Sequence, residues 1–394
     1  MKKSKLLFGC LACLATLLVS CGQGEKPTPK PTTVVPTTEP VNYDNGIYQN
    51  PVDVSYSGGS EYKNGVADPS IVKGDDGYLY VFSTGGLVLK SEDGCNFEVV
   101  TTNIIDIPDW YKDVYPDDSA VGFGIWAPDV IKIGDTWIYY YSLSGWGKCC
   151  GVGYATSDNI AGPYEDQGKL FDLNEIGIQN CIDPQVIIDD DGRVYMAVGS
   201  FQGLYLLELT EDGMGLYNGV EYQNRNKVLI AGRAGGWDGA TYEGSYIIKE
   251  GDTYYYFGSA GTCCEGGNSS YRVYVGKSDN IAGPYVDSEG RKLTASGSGV
   301  TYGELVVWAG MSSDKKVAGP GHNSVYRDDK GDLWLYYHSY CEEDNYRTRH
   351  LFMDKLSWDD NDFPYVSYID PDTDEEIKYK PSYEIEIDGP SFAY

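Results

Sequence analysis

Apolar positions along this chain fall in short runs rich in Tyr, Val and Ile, broken by Gly, Asp and Asn, with few long amphipathic helical stretches. Five segments share one layout: an anchor, a hydrophobic run, a turn of Gly and Asp, and an aromatic-rich run. They are ADPSIVKGDDGYLYVFS (67–83), WAPDVIKIGDTWIYYYS (126–142), IDPQVIIDDDGRVYMAVGS (182–200), YEGSYIIKEGDTYYYFGS (242–259) and GHNSVYRDDKGDLWLYYHS (321–339). Aligning the hydrophobic runs makes Asp68, Ala127, Asp183, Glu243 and His322 equivalent, spaced by 59, 56, 60 and 79 residues. Twelve residues beyond each stands an aromatic: Tyr80, Tyr139, Tyr195, Tyr255 and Trp334. The octapeptide SDNIAGPY also occurs twice, at 157–164 and 278–285. Each unit reads as two strands joined by a tight turn, with room for two more. Sheets of four short strands that stack radially form a propeller. The pattern predicts an all-β fold, a five-bladed β-propeller over residues 45–394, with 360–394 closing the ring or packing beneath it.

The first residues follow a different pattern. Lys2, Lys3 and Lys5 precede an apolar run at 6–19 that is short for a membrane span and has the form of a signal peptide. It ends in Leu18-Val19-Ser20-Cys21, which resembles a bacterial lipoprotein signal. Residues 1–20 would be removed and Cys21 lipidated; ordinary secretion with cleavage nearby is the alternative. Residues 21–44 are rich in Pro and Thr and predict an extended tether. The expectation is a domain secreted across the inner membrane and held at the cell envelope, periplasmic or on the surface. Cys21 is then its only link to the membrane.

Charge narrows the partners. The formal net charge of −29, from 59 acids against 30 bases, repels nucleic acid and anionic headgroups but leaves a neutral polysaccharide unaffected. Of ten cysteines, seven remain beyond Cys10, Cys13 and Cys21. Their spacing matches no zinc or redox motif, so they read as small buried residues plus at most one bridge.

In a propeller the innermost strands line the axis, so the anchors converge on a central pit. Singly, Asp68, Asp183 and Glu243 read as turn or cap residues. Together in one register they read as titratable machinery. Asp183 and Glu243 fall on adjacent blades, so Asp183 would disfavour ionisation of Glu243 and suit it to act as a general acid. Asp68 is two blades from Glu243. That gap leaves room for a water, as inverting glycosidases require with carboxyls ~6.5–9.5 Å apart. Trp126 reads equally as a sugar platform or as an aromatic packed between blades, and Trp146 as a second platform. Asn180 and Ser200 read as partners of sugar hydroxyls or as turn caps. His322 reads as an axial, hydrogen-bonded histidine.

The motifs VADPS (66–70), WAPD (126–129), NCIDP (180–184), YEGSY (242–246) and GPGHNSV (319–325) resemble glycoside hydrolase family 43 over residues 45 to 360. The resemblance implies an inverting glycosidase acting on arabinan or xylan, with Asp68 as general base, Asp183 as pKa modulator and Glu243 as general acid. TCCEGGNSSYRVYVGKS (262–278) and GPGHNS look most like the endo-1,5-α-L-arabinanase branch. There the histidine matching His322 lies beside a cation, usually Ca2+, held through water. That branch usually has His at Ala67 and often Trp at Gln202, so this chain departs from it around the subsites. The alternatives are an exo-acting α-L-arabinofuranosidase or β-xylosidase of the same family, or a glycan-binding lipoprotein without catalysis. Retention of all three acids in register favours the enzyme.

Overall fold

The computed structural model describes residues 43–114, 124–144, 150–235, 242–312 and 315–393. Among these, strands form five sheets of four or five strands and one two-stranded ribbon. The innermost strands of the five blades are Ser70–Lys73, Gly124–Ile133, Gln185–Ile188, Tyr242–Glu250 and Val317–Arg327. Blades 2, 3 and 4 have the four antiparallel strands expected of each unit. Blades 1 and 5 have five. In blade 1 the extra strand, Asp53–Ser55, runs parallel to Asn96–Thr101 at the outer edge. In blade 5, Pro364–Ile369 and Glu376–Lys378 extend the sheet outward. The last strand, Ile387–Ala393, pairs with Tyr43–Tyr48, which begins two residues before the predicted tether boundary. Backbone bonds from Val52 to Leu351 and from Val66 to Arg349, at 2.8 and 2.7 Å, hold the N-terminal segment to blade 5.

Five hydrophobic clusters fill the spaces between neighbouring blades, and strand alternation decides which side chain enters which cluster. Tyr139 and Tyr141 pack with Phe82 of blade 1, while Ile138 and Tyr140 pack with Met196 of blade 3. Tyr195 meets Tyr254 of blade 4, Tyr255 meets Leu335 of blade 5, and Trp334 meets Leu79 of blade 1. Both faces of each sheet are therefore buried. This is why the second strands are continuous apolar runs rather than alternating ones.

The repeats are offset by one residue from the sequence alignment in two blades. Asp68, Ala127, Asp183 and His322 share a left-handed backbone, with φ of 54°, 36°, 59° and 49°. In blade 4 that conformation belongs to Gly244, at φ 58°, so Glu243 stands one position before the anchor, level with Trp126. In blade 2 the residue facing forward at the aromatic position is Ile138, and Tyr139 faces back toward blade 1. The cause is turn length. Blades 2 and 4 pair Ile133 with Thr136 and Glu250 with Thr253 across two-residue turns. Blades 1, 3 and 5 close through five-residue turns, as between Lys73 and Leu79. The shorter turn with a longer ladder removes one residue from the repeat. A β-carbon on Gly244 would lie 3.0 Å from the His322 ring, so the residue after the acid is held to glycine twice over.

Candidate active site

A left-handed anchor turns its N–H toward the preceding blade, where it needs an acceptor. Four blades supply a side chain from the second strand or, for Thr84, from the residue just after it. Thr84 Oγ1 accepts from Ala127 N at 2.8 Å, Ser142 Oγ from Asp183 N at 2.9 Å and Ser259 Oγ from His322 N at 2.8 Å. His338 Nδ1 accepts from Asp68 N at 3.1 Å. Blade 3 has Gly199 at this place, and a β-carbon there would sit 2.4 Å from Gly203 O. Asp183 itself fills the gap: its Oδ2 accepts from Gly244 N at 3.2 Å. The carboxylate that the sequence marked as a pKa modulator thus also fixes the backbone that carries Glu243.

The ring encloses a pit of about 460 Å3 lined by Asp68, Asp183, Glu243 and His322, as expected. Trp126, Asn180 and Ser200 line it too. Trp146 lies outside the described residues. Ser200 Oγ donates to Glu243 Oε2 at 2.8 Å, so it orients the acid rather than capping a turn. Sequence reasoning missed Thr84, Tyr271, His338, Arg349 and the pair Cys263 and Cys264. For Thr84, Ser142, Ser259 and His338 a signal existed: polar residues stand fifteen or sixteen positions beyond the anchors. Arg349 follows an irregular loop between the second and third strands of blade 5, and nothing periodic marks it.

Asp68 sits in a cationic, hydrogen-bonded nest. Its Oδ1 lies 3.2 Å from His322 Nδ1, 3.2 Å from His338 Nδ1 and 3.3 Å from Arg349 Nη1. Its Oδ2 accepts from Thr84 Oγ1 at 2.5 Å. Burial alone would raise its pKa, but the Arg349 guanidinium, the strongest of the opposing influences, holds it well below the usual carboxylate range. Burial lowers the pKa of His338 to about 4, so its ring is neutral and accepts the Asp68 N–H. That ring stacks on Tyr271 at 5.8 Å.

Glu243 is the opposite case. Burial lifts its pKa to about 7, with Asp68 adding to the rise and the Ser200 hydroxyl and Arg349 opposing it. Its Oε1 is buried without a hydrogen-bond partner among the described residues. Asp183 is also pushed up, by burial first, then by Glu243 and Asp68. Burial, more than the neighbouring aspartate, therefore keeps the acid protonated. One carboxylate poised to accept a proton and another poised to donate one form an acid–base pair for water-mediated bond cleavage.

The sequence profile of the family described as Glycosyl hydrolases family 43 matches residues 62–364. An extracellular exo-α-(1→5)-L-arabinofuranosidase of Cellvibrio japonicus is 33% identical over 76% of this chain and 86% of its own length. An extracellular endo-α-(1→5)-L-arabinanase of Bacillus subtilis is 30% identical over 74% of this chain and 69% of its own length. Among solved structures, a Cellvibrio cellulosa α-L-arabinanase complexed with arabinohexaose superposes with a TM-score of 0.66 at 32% identity, covering 77% of this chain and 96% of that one.

Proposed function

The chain belongs to glycosyl hydrolases family 43, and we propose that it hydrolyses α-1,5-linked L-arabinan by an inverting, endo-acting mechanism. The observation that carries this reading is the divergence of Asp68 and Glu243 within one pit: one is held ionised, the other protonated. Asp68 takes a proton from a water that attacks the anomeric carbon, and Glu243 Oε1 gives its proton to the departing glycosidic oxygen. Asp183 holds Gly244 N–H and thereby the acid. Trp126 and Asn180 supply an aromatic surface and an amide for the sugar. The 33% identical relative, named as an exo-enzyme, favours a second reading in which arabinose leaves from chain ends.

The test is product analysis on linear 1,5-arabinan, with xylan and branched arabinan alongside and anomeric configuration followed by NMR. A ladder of oligosaccharides with inverted anomers supports the reading. Monosaccharide alone supports the exo reading, retained configuration sinks the mechanism, and activity on xylan alone sinks the substrate.

A hydrated Ca2+ beside His322 fits the donors present. The buried Asn323 Oδ1 and Ser324 Oγ have no partner among the described residues, and water bound to a cation would satisfy such acceptors. His322 would hold it through water, and its charge would help keep Asp68 ionised. Secretion and lipidation at Cys21 complete the proposal. The extracellular names of the relatives support export. Detergent-phase partitioning that is lost on Cys21→Ala tests the anchor.

A further inference from the structure

Cys263 and Cys264 are joined by a disulfide and line the catalytic pit. The other cysteines among the described residues, Cys95, Cys150, Cys181 and Cys341, are buried and free. A crosslink stabilises chiefly by closing a loop in the unfolded chain, in proportion to the logarithm of the loop length. A bond between sequence neighbours closes none. Stability is therefore no reason for it. Nor is core packing, since Cys263 is half-buried and Cys264 exposed.

The loop that carries the pair is fixed on both sides. Ser270 N and Tyr271 N each donate to Thr262 O at 3.1 Å, and Ser269 Oγ donates to Cys263 O and accepts from Glu265 N. Lys315 Nζ reaches Ser269 O at 3.3 Å. Gly267 lies against the Tyr346 ring, where a β-carbon would come within 3.2 Å. The loop ends at Tyr271, which lines the pit together with Glu243. A bonded pair of sulfurs has no thiol proton to donate and presents a polarizable, weakly accepting face. It stands on blade 4, the blade of the general acid. The acid must reach the glycosidic oxygen, and the leaving sugar begins at that oxygen.

We propose that the Cys263–Cys264 disulfide is a substrate-binding wall, against which the leaving-group sugar packs its apolar C–H face. The wall selects glycan leaving groups and acts through binding rather than chemistry. This rests on the arabinan reading above.

The experiment compares the enzyme as isolated, the enzyme treated with a water-soluble phosphine, and a Cys263→Ala/Cys264→Ala variant. Reduction gives two thiols, taking two electrons from the phosphine and two protons from water, whose oxygen leaves as phosphine oxide. Because the other described cysteines are unpaired, phosphine acts on this bond among the described residues. Steady-state constants are measured on arabinotriose and on an aryl α-L-arabinofuranoside, which has no leaving-group sugar. We expect KM for arabinotriose to rise about fivefold in both altered forms, with kcat within about twofold and the aryl substrate unaffected. Phosphine has no further effect on the variant. Unchanged KM for arabinotriose overturns the wall, as does an equal loss on both substrates. If the untreated enzyme cleaves no arabino-oligosaccharide, the arabinan reading falls, and this assignment with it.

Discussion

Two rings of side chains lie on the propeller axis, one above the other, and each contains a buried acid whose pKa is raised. The upper ring carries Asp68, Asp183 and Glu243, the groups proposed for the chemistry. The lower ring stands two residues further along each inner strand: Ser70, Asp129, Gln185, Tyr246 and Ser324. Asp129 is lifted to about 6 by burial, close to Glu243 at about 7. Their hydrogen bonds separate them. Asp129 accepts from Ser70 Oγ at 2.8 Å and from Val186 N at 2.7 Å, so it clamps blades 1, 2 and 3 with both oxygens. Gln185 likewise bonds Ile247 of blade 4. Glu243 keeps Oε1 unpartnered at the pit. A perturbed pKa thus marks burial in both rings, and the free oxygen facing the pit is what distinguishes Glu243 as the proposed acid.

The sharpest way to break this comparison is to remove each acid in turn. Glu243→Gln lowers kcat on arabinan by about 10³-fold or more with circular dichroism unchanged. Wild-type-like turnover would refute the upper ring's role. His338→Phe deprives Asp68 N–H of its acceptor and the base of its neighbour; a fall in kcat of about 10- to 100-fold with KM nearly constant is expected. Asp129→Ala orphans Val186 N–H and lowers stability by about 2–3 kcal/mol in denaturant unfolding, while kcat stays within about threefold. A large loss of kcat at unchanged stability would show that the lower ring reaches the chemistry.

Asp129→Asn preserves both contacts, because the Ser70 hydroxyl can turn from donor to acceptor. The folded pKa of Asp129 is raised, so its favourable share of stability is full below about pH 4 and lost as pH rises through about 6. The Asn variant flattens the stability profile over that window. Ser200→Ala gives the smallest effect. Activity of the wild type declines as pH rises through about 7, where Glu243 loses its proton. Losing the Ser200 hydroxyl, which lowers that pKa, moves the alkaline limb upward by about half a unit. A downward move would contradict the assigned direction.

Blade count, the pit and its three acids were legible because each blade repeats the same periodic constraint: an anchor, a buried strand and a turn. The one-residue offsets at Glu243 and Tyr139 were hidden, because hydrophobic runs of equal length align equally well across turns of different length. Backbone handedness separates them, and only Gly244 hints at it in the sequence. His338 was within reach, since it stands in the same file as Thr84, Ser142 and Ser259. Arg349 was not, because it comes to Asp68 by tertiary approach over 281 residues. The extra strand of blade 1 escaped for a related reason, since an edge strand buries little and carries a weak pattern; that of blade 5 falls within 360–394, where only its place at the outer edge went unread.

The ribbon that pairs Tyr43 with Ala393 turns the backbone of this domain into a nearly closed circle. A circle has no first blade. A short linker across that gap, with new ends cut at Gly251-Asp252, gives a circular permutant that keeps every inter-strand ladder and leaves the five blades in the same cyclic order. Seen this way, the seven residues of the final strand act as a clasp. Their removal would threaten the ring long before it touched a group that handles sugar.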